Sequence, residues 1–123
     1  DVTIVSFGKI IKEAYKAADE LAKENISCEI IDLRTVRPLD TEAILKSVKK
    51  TNRLVILEEA WPFGNVATEI TFQVQSKAFD YLDAPIEKIN TADTPAPYSP
   101  VLLKEWLPNS EDVINSVKKV LYK

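Results

Sequence analysis

The sequence predicts an α/β domain built as a three-layer αβα sandwich with a mostly parallel sheet. Short β-branched runs alternate along the chain with amphipathic stretches of helical period, and this alternation is typical of a parallel sheet covered on both faces. Residues 54–57 form a continuous apolar run, as expected for a strand buried on both sides. The chain has 123 residues, of which 46% are hydrophobic, so a single domain over residues 1–123 can bury its own core.

The first half of the chain predicts three strands and two helices in strict alternation. The strands are expected at residues 2–7, 27–33 and 54–57. Apolar residues recur at helical spacing over residues 10–21, and Asn25 suits the end of that helix. Asp40 is placed to cap a second helix that begins at Thr41.

The second half predicts one more strand and two more helices. A helix is expected from Val66 to about Leu82, and a strand over residues 86–90. Three prolines over residues 92–100 predict a rigid loop, because proline excludes a helix interior or a central strand. A short turn is expected near residues 102–106, and Ser110 is expected to cap the last helix.

The residue types that are missing restrict the chemistry of this chain. There is no histidine and only one cysteine, Cys28, which excludes histidine-dependent nucleophilic catalysis, a zinc site and a disulfide framework within the chain. Two glycines are too few for a nucleotide-binding glycine loop. The net charge is −3 and no basic stripe is present, so no nucleic-acid partner is predicted. No apolar run approaches the roughly 20 residues of a membrane helix, so no membrane role is predicted.

Methionine is absent, including at position 1. The chain opens directly on a strand-like run. We therefore expect it to be one domain of a longer polypeptide.

Three features at strand ends are candidates for function, and each has a structural explanation beside it. The turn at residues 6–9 could hold an anion at a helix start, but with one glycine it is better explained as an ordinary turn. Glu58 and Glu59 could form an acid–base pair, yet adjacent strand residues face opposite ways, which favours a structural or interface role. Cys28 has no base available and is better explained as a small buried residue.

An aromatic loop is the next candidate. Trp61 and Phe63 share the segment Trp-Pro-Phe-Gly, and large aromatic side chains in loops are common interface anchors. Packing of the loop on its own core is equally compatible with the sequence. The same alternatives apply to Tyr98 and Trp106, for which a core position is favoured.

Asp80, Asp83 and Glu87 form a local acidic set. Such a set could dock a basic partner. Composition alone favours an ordinary solvated surface.

Six segments form an ordered set of motifs along the chain. They are IDLRTVRPLD at 31–40, SVKKTNRLV at 47–55, EEAWPFG at 58–64, LDAP at 82–85, ADTPAPY at 92–98 and LPNSEDVI at 107–114. Together they resemble the C-terminal domain of transketolase-like enzymes, and more narrowly the β subunit of the E1 component of 2-oxoacid dehydrogenase complexes. The resemblance covers nearly the whole chain and implies a transketolase C-terminal-like fold. The RPLD and Trp-Pro motifs favour the pyruvate-specific members over the branched-chain members.

The resemblance implies a division of labour within a larger enzyme. Its parent is similar to thiamine-diphosphate-dependent pyruvate dehydrogenase, an α2β2 assembly that decarboxylates pyruvate and transfers acetyl to lipoyl groups of E2. In that family the diphosphate and magnesium are held by the α subunit, and the aminopyrimidine ring and a catalytic histidine belong to the N-terminal domain of β. This domain alone is therefore expected to bind no cofactor or metal and to carry no catalytic residue. The implied compartment is the bacterial cytoplasm, or the mitochondrial matrix in a eukaryote.

The resemblance also implies partners and contact residues. The partners are the E1 α subunit, a second E1 β subunit and the basic peripheral-subunit-binding domain of E2. The family's docking positions correspond to Asp83, Glu87 and the carboxylate of Lys123, although the lysine side chain would oppose a basic partner. Trp61 and Phe63 are the candidates for the subunit interface.

Two other hypotheses remain open from the sequence. One is the same domain of a branched-chain 2-oxoacid dehydrogenase or another transketolase-like enzyme. The other is a stand-alone α/β module that binds an anion at the Gly8 turn.

Overall fold

Four parallel strands form one sheet in the order β2-β1-β3-β4 in the computed structural model, which describes residues 1–123. The strands are β1 (Val2–Ser6), β2 (Cys28–Asp32), β3 (Leu54–Leu57) and β4 (Glu87–Ile89). β1 lies between β2 and β3, and its Val5 is in register with Ile31 and Ile56. The parallel sheet predicted from the sequence is confirmed.

Five α-helices cover the two faces of this sheet. They are α1 (Ile11–Lys23), α2 (Thr41–Thr51), α3 (Val66–Ala78), α4 (Pro100–Trp106) and α5 (Ser110–Val120). Single 3-10 turns precede α1 at Gly8–Ile10 and follow α3 at Phe79–Tyr81. α1 packs with α5 and α2 packs with α3, which gives the three-layer sandwich expected. No helix has both the length and the apolar character needed to cross a bilayer.

Alternation along the central strand divides the core into two halves. Ile4 points into the half that contains Leu21 of α1 and Val117 of α5. Its neighbour Val5 points into the other half, beside Ile44 of α2. Successive strand side chains face opposite sides of a sheet, so β1 and β3 hold both helix layers at once. All of their residues are buried.

Helix caps follow the sequence at two sites and depart from it at a third. The Asp40 side chain accepts a hydrogen bond from the Ala43 backbone N–H at 3.0 Å, as predicted. Asn25 follows α1 with φ of 60°, the left-handed conformation suited to a helix end. The expectation that Ser110 caps α5 is wrong. Asn109 is the cap, because its side chain and that of Asp112 form a reciprocal capping box.

The segment expected to be a turn near residues 102–106 is the helix α4, and Pro100 is its first residue. Proline cannot continue a helix but suits its first turn, where the backbone N–H has no intrahelical partner. The third helix also ends earlier than predicted, at Ala78 rather than near Leu82.

The strand order places a crevice at the carboxyl edge of the sheet. The chain leaves β1 toward β2 on one side and leaves β3 toward β4 on the other. Open α/β sheets commonly bind ligands where neighbouring strands diverge in this way. Here the loops that begin at Phe7 and at Glu58 flank that position.

Candidate docking and interface surfaces

The structure brings Asp83 and Glu87 together at the amino edge of the sheet, with two cations. Asp83 Oδ2 lies 3.4 Å from Arg53 Nη2, and Glu87 Oε1 lies 2.9 Å from Lys119 Nζ. Arg53 Nε also donates to the Val120 carbonyl at 3.0 Å. We name Asp83, Glu87, Arg53 and Lys119 the Asp83 cluster. It joins the segments before β3 and β4 to the end of α5.

The last residues of the chain lie beside the same cluster. The Tyr122 hydroxyl donates to the backbone carbonyl of Asp83 at 3.2 Å. The Lys123 N–H donates to the Lys118 carbonyl at 3.0 Å, which folds the chain end back on α5. All three positions that the resemblance assigns to docking therefore lie in one region.

The carboxylates of the Asp83 cluster already have partners within the chain. The Asp83 side chain is 56% exposed and the Glu87 side chain 22%. Exposed ion pairs contribute little to stability, with a median of about 0–1 kcal/mol. A cation from a partner can therefore compete for these carboxylates at low cost. The surface is mixed in charge rather than purely acidic.

The loop between β3 and α3 is fixed at both ends. Trp61 Nε1 donates to the Thr94 carbonyl at 2.9 Å, and Asn65 Nδ2 donates to the Trp61 carbonyl at 2.6 Å. The Asn65 side chain also accepts from the Thr68 N–H at 2.9 Å and so caps α3. Gly64 adopts φ of 64°, a conformation that glycine takes without strain. The loop is thus anchored around its tip.

The aromatic side chain at that tip has little contact with the rest of the chain. Phe63 is 90% exposed, whereas Trp61 is 52% exposed and half covered by its own fold. Tyr98 is fully exposed, so the preference for a core position was wrong for this residue, which lies in the proline-rich loop before α4. Trp106 is half-buried and donates to the same Thr94 carbonyl as Trp61.

Glu58 and Glu59 diverge, as the strand geometry predicts. Glu58 is completely buried, accepts from the Ala67 N–H and from Asn90 Nδ2, and lines a cavity with Trp61. Burial raises the pKa of the Glu58 carboxyl above its usual range. Glu59 is exposed and lines a different groove. The two carboxylates do not form an acid–base pair, and Glu58 ties β3 to the start of α3.

The structure places Cys28 against the core and the Gly8 turn at the start of α1. Cys28 packs against the core beside α1, and burial raises the pKa of its thiol, which disfavours the nucleophilic thiolate. Gly8 has φ of 68° and opens a 3-10 turn of three residues. That turn runs directly into α1, so the two form one helical segment that begins at Gly8.

The partners of the Asp83 cluster could not be found from the sequence. Arg53 and Asp83 are thirty residues apart, and Glu87 and Lys119 are thirty-two apart. Neither pair has a local motif, because each depends on how the helices pack. Phe72 on the outer face of α3 is 63% exposed. The sequence did not predict this exposure, because the helical spacing identifies only the apolar residues of the buried face.

No group of three or more acidic or cysteine side chains is arranged to hold a metal ion. The acidic side chains of this chain are therefore not grouped to bind the magnesium ion that accompanies a diphosphate cofactor.

Residues 1–113 match the family described as the C-terminal domain of transketolase. The chain belongs to this family. The pyruvate dehydrogenase E1 component subunit beta of Rickettsia felis is 54% identical over 121 residues, which are 98% of this chain and 37% of that protein. The mitochondrial counterpart of Dictyostelium discoideum is 48% identical over 98% of this chain and 34% of its own length. The domain therefore spans about a third of the curated relatives that it matches.

A solved structure supports the same fold. A protein titled "Split gene transketolase, inactive beta4 tetramer" is 26% identical, with a TM-score of 0.84 over 99% of this chain and 38% of that chain. The transketolase C-terminal fold expected from the motifs is confirmed.

Proposed function

We propose that this chain is the assembly and E2-docking domain of a pyruvate dehydrogenase E1 β subunit. The parent enzyme would use thiamine diphosphate and magnesium to decarboxylate pyruvate and transfer acetyl to lipoyl groups of E2. Identity of 54% with an E1 β subunit across 98% of the chain is the observation that carries the proposal. In this proposal residues 1–123 are one domain of a longer β subunit, working in the bacterial cytoplasm or the mitochondrial matrix.

The chemistry of the parent enzyme is assigned to residues outside this domain. The chain contains no histidine for proton transfer and no acidic cluster for a divalent cation. Its contribution is instead to hold surfaces in fixed relative positions. A four-stranded sheet with two covered faces is well suited to that task.

Docking is proposed at the Asp83 cluster, with Lys123 as a third contact position. The basic peripheral-subunit-binding domain of E2 would exchange its own cations for Arg53 and Lys119. Such an exchange conserves the number of ion pairs, so it favours specificity and fast association more than affinity. Binding through exposed charges is expected to weaken as ionic strength rises.

Assembly is proposed at the aromatic loop. Phe63 is 90% exposed on a loop fixed by hydrogen bonds from Trp61 and Asn65. A rigid loop loses little conformational entropy when its aromatic side chain is buried by a partner. The partner proposed for Trp61 and Phe63 is another subunit of E1, either E1 α or the second E1 β.

Charge reversal tests the docking proposal in reconstituted E1. D83K/E87K is expected to weaken binding of the E2 peripheral-subunit-binding domain, with a larger loss at low salt. D19K/D93K is the matched control, because it makes the same charge change at exposed positions outside the cluster. Calorimetric titration at two salt concentrations measures both. Equal affinities for the two variants would remove Asp83 and Glu87 from the interface.

Substrate identity needs a separate measurement. Reconstituted E1 is expected to turn over pyruvate faster than branched-chain 2-oxoacids. The reverse preference would assign the domain to a branched-chain enzyme while leaving its fold and docking role in place.

A further inference from the structure

A groove at the carboxyl edge of the sheet is not used by the surfaces above. It lies between the start of α1, helix α4 and the cap of α5, and its volume is about 440 Å³. Lys9, Lys12, Lys16 and Lys104 stand around it, while Leu103 and Leu107 contribute apolar walls. We name it the Lys9 groove. Cavities of about 300–1,000 Å³ are the size of small-molecule sites in proteins.

The Lys9 groove lies at the crevice that the strand order creates. Lys9 follows the turn after β1, and Glu59 follows the end of β3. β1 and β3 are the neighbouring strands from which the chain departs in opposite directions. Ligands of open α/β sheets bind outside the carboxyl ends of strands at this kind of position.

The charges around the groove favour an anion. Two carboxylates line it, Glu13 and Glu59, against four lysines. Glu13 is already engaged, because it pairs with Lys16 of the same groove at 2.6 Å and accepts from the Ser110 N–H at 3.1 Å. Lys9, Lys12 and Lys104 take part in none of the ion pairs of the chain. A chain of net charge −3 thus keeps three unpaired cations around one cavity.

We propose that the Lys9 groove binds a small anionic molecule that carries a compact apolar group, such as a monosubstituted phosphate. The lysines would hold the anion, and Leu103 and Leu107 would cover the apolar part. This site differs from an anion held by the backbone of the Gly8 turn, because its positive charge comes from the side chains of Lys9 in that turn, Lys12 on α1 and Lys104 on α4. It is independent of E2 docking, which is proposed at the opposite edge.

Titration calorimetry of the full-length protein tests the site with two probes, phenyl phosphate and inorganic phosphate. Phenyl phosphate is expected to bind saturably with one site per chain, about tenfold more tightly than inorganic phosphate, because its ring is removed from water. K9Q/K12Q/K104Q is expected to weaken phenyl phosphate about tenfold or more. The control K46Q/K77Q removes exposed lysines on α2 and α3 and should bind like the unaltered protein.

Three results would overturn the proposal. One is the absence of saturable binding of phenyl phosphate, and another is equal affinity in K9Q/K12Q/K104Q and K46Q/K77Q. The third is binding of a polyglutamate peptide that is lost in K9Q/K12Q/K104Q and that phenyl phosphate does not displace, which would make the groove a contact for an acidic polypeptide. Thermal unfolding by circular dichroism checks that the triple variant is folded, and K9R/K12R/K104R should retain binding if charge is what matters.

Discussion

Both carboxylate oxygens of Glu58 lie 3.3 Å from the backbone nitrogen of Ala67. A fully buried acid thus ends β3 and holds the first turn of α3, where the helix dipole favours negative charge. Asn90 donates a further hydrogen bond at 3.0 Å from the residue after β4. The acid connects three elements, which explains its burial without a catalytic role.

Glu58 should make stability depend on pH in a defined direction. Burial raises its folded pKa, so the folded state binds this proton more tightly than the unfolded state does. Its contribution to stability is therefore present at low pH and is lost as pH rises from the ordinary value of 4.5 through the raised folded value. E58Q removes this titration. As pH rises through this range, we expect the unaltered protein to lose unfolding free energy that E58Q does not lose. The difference in unfolding free energy therefore shifts in favour of E58Q.

Urea unfolding of both proteins at several pH values measures that difference. E58A is the second variant, and it should lose about 2 kcal/mol because it leaves the Ala67 N–H and the Asn90 amide without their acceptor. A pH-independent difference between E58Q and the unaltered protein would contradict the predicted titration.

Glu13 should stabilise the contact between α1 and α5 more than its ion pair implies. Its Oε2 accepts from the Ser110 N–H at 3.1 Å, at the start of a helix ninety-seven residues away. E13A is expected to lose about 1.5–3 kcal/mol, typical of a hydrogen bond to a charged group. E20A is the matched control, because Glu20 forms the same i,i+3 pair with a lysine but is exposed and bonds no other element. Equal losses of unfolding free energy in denaturant titrations would contradict this prediction.

Asn109, and not Ser110, should determine the stability of α5. The Asn109 side chain accepts from the N–H groups of Glu111 and Asp112, at 2.8 and 3.2 Å. N109A is expected to cost about 1 kcal/mol, the usual effect of losing a helix cap. S110A should change the unfolding free energy by a few tenths of a kcal/mol, because the Ser110 side chain makes no capping bond. A larger loss for S110A would restore the cap predicted from the sequence.

Phe63 should affect assembly without affecting the fold. F63S removes a side chain that is 90% exposed, so the unfolding free energy should stay within about 0.5 kcal/mol. Sedimentation velocity should show a smaller share of assembled E1 when F63S is mixed with E1 α. F72S, which alters another exposed phenylalanine on α3, is the control. An unchanged assembly for F63S would exclude Phe63 from the interface.

Local patterns predicted much of the fold and little of the site. The apolar run of β3 and the Asp40 cap are encoded within a few residues, and both were correct. Helix α4 was not predicted, because proline both ends and begins helices and the residue type of Pro100 does not distinguish the two positions. Ser110 was the expected cap of α5, but Asn109 is the cap, because the acid at Asp112 completes a capping box with it.

Contacts between distant segments were not accessible in the same way. The Lys9 groove depends on α4 and on the packing of α1 beside α5. The sequence analysis did not predict α4, because the prolines before it indicated a loop. The Asp83 cluster depends on Arg53 and Lys119 reaching across from other elements. The docking positions themselves came from the family resemblance and not from any physical pattern in the chain.

Helix α5 sets the distance between the charged groups at the two edges of the sheet. Its first turn meets Glu13 at the carboxyl edge of the sheet, and its last turn meets Arg53 at the amino edge. Eleven residues of helix span about 16 Å, about twice the Debye length of about 8 Å at physiological ionic strength. Solvent ions therefore screen the lysines at one end of the helix from the carboxylates at the other. The domain can carry opposite local fields at its two ends, and occupancy of one end leaves the charge presented by the other unchanged.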